Sequence, residues 1–285
     1  MKVFVTGAAG QLGAVVVRRF AAAGHEVVAT TLDTLDITDH AAVLRAVGAA
    51  RPDVVVNCAA FNDVDGAEDR YDAALDVNAF AVRSLARAAA EADAALVHYG
   101  TDFVFDGRAA SPYRETDRPN PQSVYASSKL LGEWFAADVP RHYVLRVESL
   151  FGGPAARSSI DRIADALRAG HEAQVFADRV VSPSYVEDVV AATEALLDRE
   201  APAGLYHCVN TGHGTWHDVG RAVADALGVS ERLLRPVSVA DVPLRARRPA
   251  YAALSNEKLR RLGIDMPSWQ DAVRRHTGLE QGAGR

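Results

Sequence analysis

A tyrosine and a lysine near the middle of the chain have the spacing of an acid–base pair. Tyr125 and Lys129 lie in the segment Ser-Val-Tyr-Ala-Ser-Ser-Lys, which predicts the start of a helix. Positions i and i+4 share one helix face, so the two side chains are neighbours. An adjacent ammonium stabilises a phenolate and lowers the pKa of a tyrosine from its ordinary value of about 10. The pair is therefore suited to giving a proton to a carbonyl group during its reduction.

A glycine-rich loop near the N-terminus predicts a nucleotide-binding site. Its residues 7–13 read Gly-Ala-Ala-Gly-Gln-Leu-Gly, spaced G-x-x-G-x-x-G instead of the G-x-G-x-x-G of the usual dinucleotide fingerprint. The loop lies between a predicted strand and a predicted helix, where glycines let the backbone approach a pyrophosphate that the helix N-terminus attracts. The loop residues predicted to bind the cofactor are Gly7, Gly10, Gln11, Leu12 and Gly13.

The end of the second predicted strand bears on the choice between NADH and NADPH. The acidic residue that binds the ribose in many NAD enzymes is replaced here by Thr30 or Thr31. Without a carboxylate nothing repels a 2′-phosphate, although this stretch also offers no arginine to bind one. NADPH is therefore the favoured cofactor and NADH stays open. Asp36 and Ile37 are predicted to lie near the adenine.

Strands and helices alternate through residue 150, which predicts an α/β fold with a Rossmann-type, doubly wound parallel sheet. Strands are predicted over 2–6, 26–30, 53–57, 95–100 and 143–147, and helices over 11–23, 39–49, 71–92 and 124–137. Residues 1–150 are thus expected to form the NAD(P)-binding domain. Later helical patterns, broken by prolines and short strands, predict a smaller substrate-binding lobe over 151–285, with some of that chain returning to the first domain.

Composition and charge narrow the classes of protein to which the chain can belong. The formal net charge of −6 disfavours a nucleic-acid partner, which requires a basic face. No apolar run reaches the roughly 18 residues needed to span a bilayer, and the N-terminus does not read as a signal peptide. Cys58 and Cys208 have no metal-site spacing and predict neither a disulfide framework nor a metal centre. A cytoplasmic location is expected.

Several blocks, in order along the chain, resemble the extended short-chain dehydrogenase/reductases, and within them the dTDP-4-dehydrorhamnose reductase family. The blocks include the glycine loop, Arg-Pro-Asp-Val-Val-Val-Asn-Cys-Ala-Ala at 51–60, His-Tyr-Gly-Thr-Asp-Phe-Val-Phe-Asp-Gly at 98–107, the tyrosine–lysine segment, and Ser-Pro-Ser-Tyr at 182–185. The resemblance extends to about residue 269. It implies that Thr101, Tyr125 and Lys129 are catalytic, and that a hydride from NAD(P)H reduces the C4 ketone of a nucleotide-linked 4-keto-6-deoxyhexose.

The same resemblance suggests further ligand contacts. Beyond the glycine loop, Thr30, Asp36 and Ile37, the cofactor contacts would include Tyr125, Lys129, Cys58, Ala59, Ala60 and Asn78. The substrate, a nucleotide sugar expected to be dTDP-linked, would contact Asp102, Phe103, Val104, Glu148, Ser149, Arg179, Ser182 and Arg248. The two arginines suit a diphosphate, but each is equally compatible with a solvated surface position. A homodimer is left open.

One departure from the family pattern concerns the sugar. Glu148 and Ser149 stand where reductases of this family usually have a serine and then a tryptophan close to the sugar. Glu148 could bind a hydroxyl or an amine of a different deoxysugar, or it could be a charged residue at the end of a strand that faces solvent. The change favours a reductase from another deoxysugar pathway.

Other functions occur on the same fold, and individual residues help to distinguish them. A sugar-nucleotide 4,6-dehydratase is disfavoured because Phe103, and not a glutamate, follows Thr101 and Asp102. An epimerase stays open, since the same tyrosine and lysine could work in both directions. A non-catalytic subunit resembling the methionine adenosyltransferase regulatory subunit also stays open.

Overall fold

The computed structural model describes residues 1–154 and 158–282. Six strands form its central sheet, and every pairing between neighbours is parallel. In spatial order they are β2 (Glu26–Ala29), β1 (Lys2–Thr6), β3 (Val54–Asn57), β4 (Ala95–Thr101), β5 (His142–Val147) and β10 (Gly204–His207). The predicted Rossmann-type parallel sheet is confirmed. Strand β10 is drawn from the chain beyond residue 200, so the outer edge of the sheet is supplied late in the sequence.

Helices cover both faces of the sheet, which explains why its central strands are almost wholly apolar. Alternate strand residues pack to opposite faces: Val54 and Val56 meet one group of helices, and Val55 meets the other. The first face carries α1 (Gln11–Ala22) and α7 (Val186–Asp198). The second face carries α2 (His40–Ala50), α4 (Ala81–Glu91) and the end of α5 (Val124–Ala136).

The helix predicted over 71–92 is interrupted. It consists of α3 (Tyr71–Leu75), a π-helical turn over Asp76–Phe80, and then α4. A π-turn inserts one extra residue into the helical path and is frequent at functional sites. Here it contains Asn78, whose buried side chain is turned toward the loop after β3 and toward α5.

The remaining elements form a second lobe with its own apolar core. They comprise three two-stranded sheets and three helices: β6 (Leu150–Phe151), α6 (Ser159–Arg168), β7 (Ala173–Phe176), β8 (Val180–Val181), β9 (Ser184–Tyr185), β11 (Gly214–Thr215), α8 (Trp216–Leu227), β12 (Leu234–Val237) and α10 (Trp269–Gly282). The short helix α9 (Glu257–Arg261) instead places Leu259 in the core of the first domain, beside β10. Capping boxes at Ser158 and Thr215 begin α6 and α8 by satisfying backbone N–H groups of the first turn. Within the described residues, no helix is long and apolar enough to cross a membrane.

Candidate active site

A cavity of about 480 Å³ opens at the carboxyl ends of the central strands. This is the edge at which open α/β sheets bind ligands. Its lining combines the loops after β1, β3, β4 and β5 with the end of β4 and the first turns of α1 and α5: Gly10, Gln11, Leu12, Cys58, Ala59, Ala60, Thr101, Asp102, Phe103, Tyr125, Lys129 and Ser149. A second cavity of about 380 Å³ shares part of this wall and extends past Gly7 toward Thr31, Asp36 and Ile37. The two cavities therefore form one elongated groove.

The glycine loop is folded closely enough that side chains would not fit. Gly7 has a φ of +65°, and a Cβ atom there would lie 2.6 Å from the backbone nitrogen of Ala59. A Cβ on Gly13 would clash with the carbonyl of Gly7. Gly10 occupies the N-cap of α1 and has no side chain to cap it, so N–H groups of the first turn can face a ligand. The cradle fits the pyrophosphate of a dinucleotide.

We expect Gly7→Ala to weaken NADPH binding by at least tenfold and to destabilise the fold. A left-handed backbone costs alanine about 1–2 kcal/mol, and the clash with Ala59 adds to that cost. Gly24→Ala is a matched control, because Gly24 has a φ of +82° but open space around its Cβ position. Fluorescence titration with NADPH and chemical denaturation of both variants measure the difference. Equal stability loss in the two variants, with NADPH binding unchanged, would contradict the packing argument.

Eight residues predicted to contact ligands do not line these two cavities: Gly13, Thr30, Asn78, Val104, Glu148, Arg179, Ser182 and Arg248. The Thr30 hydroxyl donates to the Val5 carbonyl at 3.0 Å, and the neighbouring Thr31 lines the groove in its place. The Asn78 amide is bonded to the backbone of Phe61 and to the Ser128 hydroxyl. Val104 is fully buried in an apolar cluster. Thr30, Asn78 and Val104 therefore support the residues that line the groove and are not part of its lining.

Thr101, Tyr125 and Lys129 are brought together at the inner end of the groove. Thr101 ends β4, and the other two residues lie on the first turns of α5, which Ser123 caps by accepting a bond from the Ala126 N–H. The Tyr125 ring meets the Phe103 ring edge-on, with centroids 5.7 Å apart. The Lys129 ammonium donates to the Tyr99 carbonyl at 2.6 Å.

The protonation of the pair differs from the prediction made from its spacing. Burial raises the pKa of Tyr125 to about 12, an effect that a bond with the Thr101 hydroxyl partly offsets. Burial also lowers the pKa of Lys129 to about 8, against the attraction of the Glu133 carboxylate. In the protein alone the phenol is therefore held neutral, which is the form that can donate a proton.

A buried ion pair that the sequence did not reveal supports the lysine. Glu133 lies one helical turn beyond Lys129 on α5, and its carboxylate bonds to Arg146 of β5 at 2.8 Å, with both side chains at most 5% exposed. The guanidinium also lies 5.0 Å from the centroid of the Phe105 ring. Spacing along α5 hints at Glu133, but its partner is visible only in three dimensions.

Two guanidinium groups lie near the ring of Phe103, which lines the groove. The Arg179 and Arg248 guanidinium carbons lie 5.4 Å and 5.7 Å from the ring centroid. Arg248 pairs with Asp65 at 2.9 Å. Arg179 is buried and lines a neighbouring cavity of about 360 Å³ in the second lobe, so the solvated alternative is wrong for this residue.

Glu148 is also buried, and the alternative of a charge facing solvent is wrong. Its side chain accepts a bond from the backbone N–H of Ser182 at 2.5 Å. Neither residue lines the groove; Ser149, in a left-handed conformation with φ of +45°, lines it instead. Burial raises the pKa of Glu148 well above its ordinary value and that of Asp102 to about 7.

His98 lies outside the surface that lines the groove. His98 is buried in β4, with Nδ1 bonded to the Asn57 amide at 3.1 Å, whereas no described residue partners its Nε2, so the histidine is only half satisfied. Burial lowers its pKa well below the ordinary value, which keeps the ring neutral. Within the described residues, no group of three or more histidine, cysteine or carboxylate side chains is arranged to hold a metal ion.

The sheet and the site at its carboxyl edge are those of the extended short-chain dehydrogenase/reductase class. The chain belongs to the family described as RmlD substrate binding domain, whose model matches residues 1–279. The family resemblance drawn from the sequence is thereby confirmed.

Three relatives illustrate this membership. A dTDP-4-dehydrorhamnose reductase of Mycobacterium tuberculosis is 38% identical, over 95% of this chain and 91% of the relative. A probable dTDP-4,6-dihydroxy-2-methyloxan-3-one 4-ketoreductase of Streptomyces antibioticus is 35% identical, over 96% of this chain and 94% of the relative. The crystal structure of a Bacillus anthracis dTDP-4-dehydrorhamnose reductase in complex with NADP has a TM-score of 0.91 at 30% identity, covering 96% of this chain and 98% of that one.

Proposed function

We propose that the protein reduces the C4 ketone of a nucleotide-linked 4-keto-6-deoxyhexose, using NADPH in preference to NADH. The observation that carries the proposal is the grouping of Thr101, Tyr125 and Lys129 at the inner end of a groove that begins at the glycine cradle. A cofactor whose pyrophosphate lies in the cradle can extend along this groove toward the tyrosine. The relatives named as ketoreductases of dTDP sugars support both the reaction and a dTDP-linked substrate.

The mechanism follows from the three side chains. The nicotinamide, when bound, supplies the hydride that adds to the ketone carbon. Thr101 and Tyr125 would hold the carbonyl oxygen between their hydroxyl groups, which stabilises the negative charge that develops on it. Tyr125 gives its proton to this oxygen and yields the alcohol, while Lys129 stabilises the phenolate and holds the cofactor ribose. The balance is one ketone, one NADPH and one proton converted to one alcohol and one NADP⁺.

The choice of cofactor rests on the wall near Thr31. That wall presents Thr31, Leu32 and Leu35, and only Asp36 adds a carboxylate. The Asp36 carboxylate is engaged within its own loop, where it accepts hydrogen bonds from the backbone N–H and the hydroxyl of Thr38. A 2′-phosphate would therefore meet little repulsion, and a relative of known structure holds NADP. A homodimer and a cytoplasmic location stay predictions.

The deciding experiment offers dTDP-4-keto-6-deoxyglucose and its 3,5-epimer to the protein with NADPH or NADH. We expect stoichiometric loss of nicotinamide absorbance with one of these sugars, faster with NADPH. Interconversion of sugars without net cofactor consumption would indicate an epimerase. Binding of cofactor without any conversion of either sugar would favour either a reductase of another deoxysugar pathway or the non-catalytic subunit.

A further inference from the structure

The first turn of α5, which carries Tyr125, is held by a carboxylate from a distant part of the chain. Ser123 is the local cap and accepts a bond from the Ala126 N–H at 3.2 Å. The N–H of Val124, the first residue of the helix, donates instead to Glu68 Oε1 at 2.8 Å, across 56 positions of sequence. A first-turn N–H has no partner within its own helix, so Glu68 supplies from outside what α5 cannot supply itself.

The turn that carries Glu68 is itself fixed in place. Glu68 ends the 3₁₀ turn Gly66–Glu68 in the loop after β3. Just before this turn, the Asp65 carboxylate accepts bonds from the Ala246 N–H at 2.8 Å and from the Arg248 guanidinium at 2.9 Å. Both partners belong to the second lobe, so the turn is fastened to that lobe on one side and to α5 on the other.

Among the contacts that hold α5, the bond to Glu68 is made at the residue next to Tyr125. Lys129 and Glu133 hold the helix one and two turns further on, through the Tyr99 carbonyl and the buried ion pair. The turn also packs against the tyrosine, because the buried Ala67 belongs to the same apolar cluster as the Tyr125 ring. Helix ends fray first, so loss of this bond loosens the turn that carries Tyr125 and leaves the rest of α5 in place.

We propose that Glu68 is a positioning residue that holds Tyr125 where its proton can reach the substrate carbonyl. Proton transfer requires hydrogen-bond distance, and a misplacement of about 1 Å caused by a remote change can cost about 10²-fold in rate. Glu68 does not line either part of the groove, so it acts only through α5. The inference rests on the proposed reduction.

Removal of the Glu68 carboxylate is expected to slow the chemical step and to leave cofactor binding intact. We expect Glu68→Ala to lower kcat by about 10–100-fold, because Tyr125 is no longer held at the carbonyl oxygen. The Kd for NADPH should stay within about threefold of the wild type, since the glycine cradle and the Lys129 bond to Tyr99 are unaltered. Glu91→Ala is the matched control, because Glu91 is exposed and pairs with Arg87 on its own helix; it should keep wild-type kinetics. An active wild-type enzyme whose kcat is unchanged by Glu68→Ala overturns the inference.

Two conservative variants separate the reach of the Glu68 side chain from its charge. Glu68→Gln keeps the length and an oxygen acceptor, so we expect its kcat to stay within about threefold of the wild type. Glu68→Asp keeps the charge but is one methylene shorter, so the bond to Val124 lengthens and we expect kcat to fall by about tenfold. Equal losses in Glu68→Gln and Glu68→Ala overturn the inference, because the charge and not the bond would then be responsible.

NMR of the ligand-free protein tests the positioning without turnover. In Glu68→Ala we expect the Val124 N–H to exchange with solvent at least about tenfold faster, and the signals of the Tyr125 ring, which the edge-on Phe103 ring displaces, to shift. Glu68→Gln should restore both. Wild-type exchange and ring signals in Glu68→Ala overturn the inference, whatever the kinetics. Failure of the wild type to reduce any sugar would instead contradict the proposed function, and the NMR comparison would still decide whether Glu68 sets the position of Tyr125.

Discussion

We expect Tyr125→Phe to lower kcat by about 10²–10⁴-fold while leaving the dissociation constant of NADPH within about threefold of the wild type. The change removes the phenolic hydroxyl alone, so the ring keeps its edge-on contact with Phe103 at 5.7 Å and its buried position on α5. Turnover is measured from nicotinamide absorbance, and cofactor binding from fluorescence.

Tyr71→Phe is the matched control for this substitution, because Tyr71 is 62% exposed at the start of α3 and does not line the groove. The control should retain wild-type kinetics. Turnover of Tyr125→Phe at the wild-type rate would remove Tyr125 from the mechanism.

The second large effect concerns stability. Arg146→Met is expected to reduce the free energy of unfolding by about 3–5 kcal/mol, because it leaves the Glu133 carboxylate buried without its cation. Chemical denaturation measures the loss. The double variant Glu133→Gln with Arg146→Met should recover part of it, since no unpaired charge is then left inside.

An exposed ion pair gives the reference for this measurement. Arg87→Ala breaks the Arg87–Glu91 pair, whose side chains are 70% and 57% exposed, and is expected to cost about 0–1 kcal/mol. Equal stability of Arg146→Met and Arg87→Ala would show that burial of the Glu133–Arg146 pair contributes nothing.

The parts of the site that could be predicted from sequence depend on local patterns. Two patterns of the site can be recognised in the sequence because each is local. The glycine spacing of residues 7–13 lies within one strand–helix turn, and the four-residue spacing of Tyr125 and Lys129 places both on one helix face. Strand–helix alternation likewise predicts the parallel sheet that the structure shows.

The parts that could not be predicted depend on contacts between distant segments. Glu148 is buried because Ser182, 34 residues later, returns to bond its carboxylate. Within the loop after β4, a 3₁₀ turn over Asp102–Val104 directs consecutive side chains differently, so Phe103 faces the groove and Val104 faces the core. The π-turn that contains Asn78 cannot be recognised in the sequence, because this alanine-rich stretch has the pattern of one continuous helix.

The late position of β10 and α7 in the chain has a consequence for biosynthesis. Strand β10, which pairs with the edge of β5, and helix α7, which joins the same apolar core as Val3 and Val5, are synthesised only after most of the protein has been made. Until then the nascent sheet presents an open edge and an apolar face, both of which favour association with other chains. Because the first domain takes β10 and α7 from the second half of the chain, no single cut separates the two lobes.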